Sequence, residues 1–437
     1  MTTISQTSAH VFEDAPLRSL HIKAAAGGMG GQFSDGYILG LIGIAMSLAT
    51  TPLGLTTYWL GLIGSASLIG ILFGSLLTGP LADRIGRKNI YTWTMGVFFI
   101  ASVAQFFVTD PTQLLVLRLI LGFALGADYV VGISLVSELV PKRLRGRLMS
   151  MMMVAWVAGF SCAYGIGYML QSLGDDAWRW ILFSSAVPAF VVLLVRFNTP
   201  ESPLWLINRG REAEAREIVS KRLGSDIQLP QADAKTQSAS WTQLFSKKWR
   251  RNTFVGAMFY TCQVIPYFAM STFIPRILET LNVEDGYASG IVYNVFLLLG
   301  SIIGLLIINK ISRRAFLVGS FYITAASLAV LALWSGMPAL LVVTLFAVFA
   351  CVLAGAGVLE FAYTPELFPT ELRASGVGFV VAASRLGGAG GTFILPVLME
   401  SYGTPAALGG CVLALLVGAI VCQLWAPETG LKPVQGH

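Results

Sequence analysis

The stretch ELVPKRLR at residues 138–145 returns as ELFPTELR at residues 366–373. Two further pairs keep nearly the same offset: TGPLADRIGRK at 78–88 with GLLIINKISRR at 304–314, and PES at 200–202 with PET at 427–429. Ordered pairs at one spacing make the chain two copies of one half. What lies between the motifs decides the class of that half.

Of the 437 residues, 55% are hydrophobic and only 12% charged, with a mean hydropathy of +0.72. That is too apolar for a soluble domain of this size and predicts a polytopic membrane protein. Crossing ~30 Å of hydrocarbon at 1.5 Å per residue takes roughly 20 apolar residues. Twelve segments meet this: 28–50, 56–80, 90–108, 112–139, 148–171, 180–198, 253–275, 288–309, 315–336, 339–364, 375–399 and 406–426. The expected architecture is all-α, with a tail at 1–27, a six-helix bundle at 28–198, a linker with short helices at 199–252, a second bundle at 253–426 and a tail at 427–437. The mixed, polar first 27 residues do not read as a cleaved signal.

Lys and Arg set the expected orientation. Most of the 29 basic residues fall in the even-numbered connections, whereas the odd-numbered ones are short and mostly acidic, as at Asp110, Asp175, Asp176, Glu279 and Glu284. The positive-inside rule then places both termini in the cytoplasm of a cell with the chain in its inner membrane. The net charge of +6 reflects this asymmetry, so the expected surroundings are a lipid bilayer and not nucleic acid. In the linker, INRGREAEAREIVSKR at 207–222 reads as a solvated surface helix laced by Glu and Arg.

Several chemistries are disfavoured. The five cysteines lie in apolar segments without ligand-like spacing, and the three histidines, His10, His21 and His437, lie in the tails. There is no GxxxxGK[ST] phosphate loop and no HExxH, so an ATP-driven pump or an enzyme is unexpected, and no cofactor or metal is called for. Proton chemistry within the membrane must then use carboxylates. Glycines at 70, 74, 122, 126, 387, 388, 390 and 391 put small faces at helical spacing for close packing in lipid, and Met149 and Met151–Met153 read as core filling.

Ionisable residues inside the spans are costly and point to function. Asp35 and Asp128 fall about 5 Å from the middle of their segments by helical rise, Arg385 near the middle of its own, and Glu360 roughly 12 Å off centre. A carboxylate in a low dielectric resists ionisation, which makes Asp35 and Asp128 candidates for proton coupling, with Asp35 ahead. The alternative is that one of them is the fixed partner of an arginine such as Arg118. Arg385 can pair bidentately with an anionic substrate group or with a membrane carboxylate.

GPLADRIGRK, RLILG from Arg118, ELVPKRLRG and PESPLWL together resemble the major facilitator superfamily, in its sugar-porter and organic-ion branch, over the whole chain. The resemblance implies a monomeric twelve-helix secondary transporter that rocks two bundles around a central site. It also implies a cytoplasmic latch, here Asp83, Arg84, Arg87, Glu138, Arg145, Glu366 and Arg373, with Asn309 in place of the second copy's Asp weakening that half. Segment seven has the single Gln263 where sugar porters usually carry a pair, and segment ten reads GAGVLEFAY without their Gly-Pro-x-x-Trp, so hexose is disfavoured. YTPELFPTELRASGVG, SRLGG and GADY are more similar to organic-anion and organic-cation carriers and to bacterial aromatic-acid:proton symporters. In helices that line the superfamily's cavity, Tyr37, Tyr129, Tyr260, Tyr267, Phe268 and Tyr363 could sandwich a planar ligand beside Gln263, Glu360 and Arg385. The expected function is proton-coupled symport of a small, aromatic or other, carboxylate. An organic cation or drug, a sugar, or a sensor on the same fold are the alternatives.

Overall fold

The computed structural model describes residues 10–12, 15–224, 226–229 and 241–429, with the side chain of Asp83 outside the described set. Among these residues, ten helical stretches are long and apolar enough to cross a membrane. One of them, Lys142–Arg196, is long enough for two passes, and the less apolar Lys88–Gln105 supplies another, which makes twelve.

The first bundle comprises α1 (Ser19–Gly40) with α2 (Ile42–Ala49), α3 (Thr57–Ile85), α4 (Lys88–Gln105), α5 (Pro111–Leu139), α6 (Lys142–Leu170), and α7 (Ala177–Ser184) with α8 (Ala186–Arg196). Two short helices, α9 (Pro203–Asn208) and α10 (Glu212–Arg222), stand in the linker. The second bundle comprises α11 (Arg250–Thr280), α12 (Gly286–Ile307), α13 (Arg313–Leu333), α14 (Ala339–Glu366), α15 (Thr370–Tyr402) and α16 (Thr404–Trp425). Large apolar side chains such as Phe73, Leu77, Ile100, Leu333 and Leu340 face outward, which suits a lipid surround.

Breaks in the helices have local causes. Pro188 cannot donate to Ser184, and the sixth pass is interrupted there at Ser185. Pro266 and Pro275 sit inside α11, which bends at Phe273 (φ −113°, ψ 17°). The first pass breaks at Leu41, beside the Ile38 carbonyl that accepts a hydrogen bond from Arg118 at 3.0 Å. It also begins at Ser19 instead of residue 28, and Leu20 and Ala24 of the added turns are buried in the first bundle.

Close helix contact is duplicated along with the sequence. A Cβ on Gly74 would lie 2.1 Å from the Phe123 carbonyl, and one on Gly126 would lie 2.3 Å from that of Ile71, so α3 and α5 touch backbone to backbone. In the second half, Gly300 and Gly304 of α12 meet the carbonyls of Cys351 and Gly355 of α14 in the same way. The α15 glycines divide: Gly387 and Gly391 abut Thr261 and Ile265 of α11, Gly388 abuts Val264, and nothing approaches Gly390. Met152 is core, whereas Met151 is 40% exposed on the outer surface.

The rim that carries the termini repeats as well. Glu201 accepts from the backbone N–H of Arg87 and Lys88 at 3.0 and 3.1 Å, at the start of α4. Glu428 accepts from those of Arg313 and Arg314 at 3.1 and 3.2 Å, at the start of α13. PES and PET therefore place one carboxylate each at a helix N-terminus, where unpaired donors and the dipole favour it. The tail preceding α1 is partly built in: His10–Val11 pairs in parallel with Ile227–Gln228, and Phe12 and Ala15 are buried against the cluster that includes Val219 and Leu223.

The two bundles meet mainly in the half of the molecule away from this rim. There Tyr164 donates to the Tyr287 carbonyl at 3.2 Å and Ser161 to that of Asn294 at 2.8 Å. Tyr58 packs edge-on to Phe393 at 5.7 Å, and a Cβ on Gly43 would strike the Thr272 carbonyl at 2.3 Å.

Candidate substrate and proton site

At mid-depth an aromatic layer crosses the interface. Trp156 and Phe160, one turn apart on α6, stack at 5.5 Å, and Trp156 reaches Tyr267 of α11 at 6.0 Å and Phe268 at 6.4 Å. The Trp156 indole N–H donates to the Tyr129 hydroxyl at 2.6 Å. Arg385 enters this layer from α15, its guanidinium 5.8 Å from the ring centres of both Tyr129 and Phe268. Its Nε is buried without a hydrogen-bond partner, as is the Tyr267 hydroxyl. Glu360 and Tyr260 complete the group, with Tyr260 beside the carboxylate and Arg385 within its electrostatic reach. Such a guanidinium between π-faces has hydrogen-bonding capacity to offer a planar anion.

The carboxylates of the first bundle divide into two environments. Asp128 is clamped: both of its oxygens accept from Arg196, Oδ2 at 2.9 Å, and Oδ1 also accepts from Thr94 Oγ1 at 2.8 Å. Asp35 is fully buried, Gln32 Nε2 donates to its Oδ2 at 3.4 Å, and its Oδ1 has no partner. The arginine expected beside one of these carboxylates is therefore Arg196 and not Arg118, which instead bonds the Ile38 carbonyl.

Other expected site residues are turned away from the aromatic layer. The Tyr37 hydroxyl is 3.0 Å from Ser184 Oγ, inside the first bundle. Gln263 donates to the Leu353 carbonyl at 3.2 Å, with its Oε1 unpartnered. Tyr363 is a correction: it is fully buried, packs on Phe259, and donates to the Pro427 carbonyl at 2.8 Å, which makes it part of the rim and not of the ligand site.

Among the residues named for the latch, the pairing differs from that suggested by the motif. Glu138 pairs with Arg87, and Glu366 pairs with Arg313 at 3.6 Å, so each ELxPxxLR carboxylate joins the helix before it within its own bundle. Pro141 and Pro369 start new helices, which carries Arg145 and Arg373 away from those carboxylates: Arg145 Nε is unpartnered, and Arg373, like Arg84, is exposed. Asn309 accepts from Arg313 at 3.2 Å, a neutral contact where the first copy has Asp83.

Sequence reasoning missed Trp156, Phe160 and Arg196. The Trp-Phe spacing of four was visible in segment five. Arg196 stood at the end of an apolar segment next to a basic linker and so read as a topology charge. The signal for it was at the start of the first helix, where Gly27 and Gly31 leave room for its side chain.

The family model described as "Sugar (and other) transporter" matches residues 21–435. The chain is 38% identical to the Inner membrane metabolite transport protein YgcS of Escherichia coli, across 98% of this chain and 96% of that protein. It is 28% identical to the Niacin transporter NiaP of Acinetobacter baylyi, across 97% and 98%. Its fold superposes on the xylose transporter XylE from E. coli, in a partially occluded inward open conformation, with a TM-score of 0.78 at 20% identity over 95% of this chain and 100% of that one. Two helical bundles joined by a repeat, with coverage of this extent, place the chain in the sugar (and other) transporter family, as a multi-pass membrane transporter of the major facilitator fold.

Proposed function

We propose that the protein is a proton-coupled symporter of a small organic carboxylate, with an aromatic ring as the favoured scaffold. The observation that carries this reading is Arg385, held between Tyr129 of one bundle and Phe268 of the other with a buried, unpartnered Nε. A planar acid would meet the guanidinium through its carboxylate and the rings through its faces. A site that engages both bundles at once is also one whose occupancy can bias their relative position. One relative is named for niacin, an aromatic carboxylate, and that supports the ligand class.

Asp35 supplies the proton reading, because an ionised carboxylate with one unpartnered oxygen in a fully buried setting is costly, whereas its protonated form is not. By the charge asymmetry of its connections, the protein works in an inner membrane with both termini and the linker in the cytoplasm. Glu360 beside Arg385 favours a second reading, a ligand with a cationic or neutral polar part. A thermal-shift panel of aromatic carboxylates, organic cations and pentoses on the purified protein separates these: carboxylate stabilisation that disappears in Arg385→Gln is expected, and stabilisation by sugars or cations alone overturns the reading.

A further inference from the structure

Arg196 ends α8, yet its side chain is among the most deeply buried in the protein, with 0% exposure. Three other helices converge on it. From α1 the Gly27 carbonyl accepts from Nε at 3.0 Å, and from α4 the Tyr91 carbonyl accepts from Nη1 at 2.8 Å. The Tyr91 ring stacks under the guanidinium at 3.8 Å, and from α5 Asp128 takes the forked pair of bonds. Nη2 is bonded to Asp128 alone, which leaves one of its two hydrogens. That nitrogen abuts α1 where a side chain is missing: a Cβ on Gly31 would be 1.7 Å from Nη2 and 3.0 Å from Asp128 Oδ2.

Asp35 lies one helical turn beyond Gly31, within electrostatic reach of both Asp128 and Arg196. The other groups around it are few. Gln32 comes from its own helix, Tyr129 from α5, and Tyr91 from α4 on the far side of Arg196. From α6, packed on α1 at Gly36, come the uncharged Trp156 and Phe160. The cluster within the first bundle thus holds two carboxylates and one guanidinium, with Arg385 of the second bundle 5.8 Å from the Tyr129 ring. With Asp35 protonated the cluster's charges cancel, and with Asp35 ionised it carries one uncompensated negative charge.

We propose that Arg196 is a positioning residue for proton coupling, which fixes Asp128 as a permanently ionised structural partner and offers its remaining Nη2 hydrogen to Asp35 when Asp35 gives up its proton. This rests on the symport reading given above. Only the Asp35 O–H bond breaks and re-forms, the proton passing to or from water, while the Arg196–Asp128 pair keeps its charges throughout. The room for the shared contact is the Gly31 notch.

Infrared difference spectroscopy of the full-length protein in liposomes, titrated with pH and without substrate, tests this through the carbonyl band of protonated buried carboxyls. In the wild type the Asp35 band titrates and is identified as the component that vanishes in Asp35→Asn, while the Glu360 carboxyl beside Arg385 is told apart by its loss in Glu360→Gln. Arg196→Lys keeps the charge on Asp128 but loses the fork, so the Asp35 midpoint moves to higher pH by about one unit, a tenfold change in proton affinity. Because Lys retains the ion pair, that variant is the one suited to folding in the membrane. An unchanged midpoint in Arg196→Lys overturns the positioning role. A titrating band lost in Asp128→Asn but kept in Asp35→Asn overturns the division of labour. A wild type with no titrating carboxyl contradicts the symport reading itself, a result separate from the other two.

Discussion

The guanidinium of Arg385, carried by the second bundle, lies 5.8 Å from the ring centre of Tyr129, carried by the first. A cation and a ring from opposite halves therefore face each other beside Trp156, so one bound ligand can sense both halves. Replacing Arg385 by Lys keeps the charge and loses the planar fork. A charged hydrogen bond contributes about 1.5–3 kcal/mol, so carboxylate affinity should fall roughly ten- to hundredfold. Calorimetric titration with a ligand identified by thermal shift checks this, and unchanged affinity removes Arg385 from the site.

Tyr129 serves two partners, and two substitutions separate them. Tyr129→Phe keeps the ring against Arg385 but leaves the Trp156 N–H, now donating at 2.6 Å, without its acceptor. A loss of about 1–3 kcal/mol in stability follows, with ligand affinity largely kept. Tyr129→Ala removes the ring as well, and affinity should drop further by the ~0.5–2 kcal/mol of a cation–π contact. Thermal unfolding and ligand titration on both variants measure the two effects independently.

Much of the fold was legible because lipid imposes strong rules. Twelve apolar stretches, the repeat, and small residues at helical spacing all translated directly, and Gly74 and Gly126 meet the facing backbones as their spacing suggested. The division between Asp35 and Asp128 was not legible. Both are lone carboxylates in apolar segments, and what separates them is Arg196, which sits 68 positions from Asp128 in the chain. The pairing inside the latch set was not legible for a related reason: Glu138 and Arg145 share one motif, but the proline between them ends one helix and starts another, so Glu138 pairs with Arg87 at the N-cap of α4.

Packing at the duplicated crossings gives opposite outcomes for one kind of change. Gly74→Ala forces a methyl to 2.1 Å from the Phe123 carbonyl, where only backbone can yield, and should destabilise by about 1–3 kcal/mol. Gly96→Ala, on α4 with nothing within 4 Å, should be neutral or stabilising by up to about 1 kcal/mol through helix propensity. Denaturation in a fixed detergent compares them. Equal effects would mean that α3 and α5 do not touch as described.

In the proposed reading, symport turns on Asp35. Proteoliposomes energised by an acidic exterior, with radiolabelled nicotinate as the probe, compare accumulation with one-for-one exchange. The wild type is expected to accumulate the acid against its gradient and to take up protons as it does so. Asp35→Asn is expected to keep exchange while losing accumulation, because substrate can still move the bundles but no proton accompanies it. Accumulation by Asp35→Asn at the wild-type level would contradict coupling through this carboxylate.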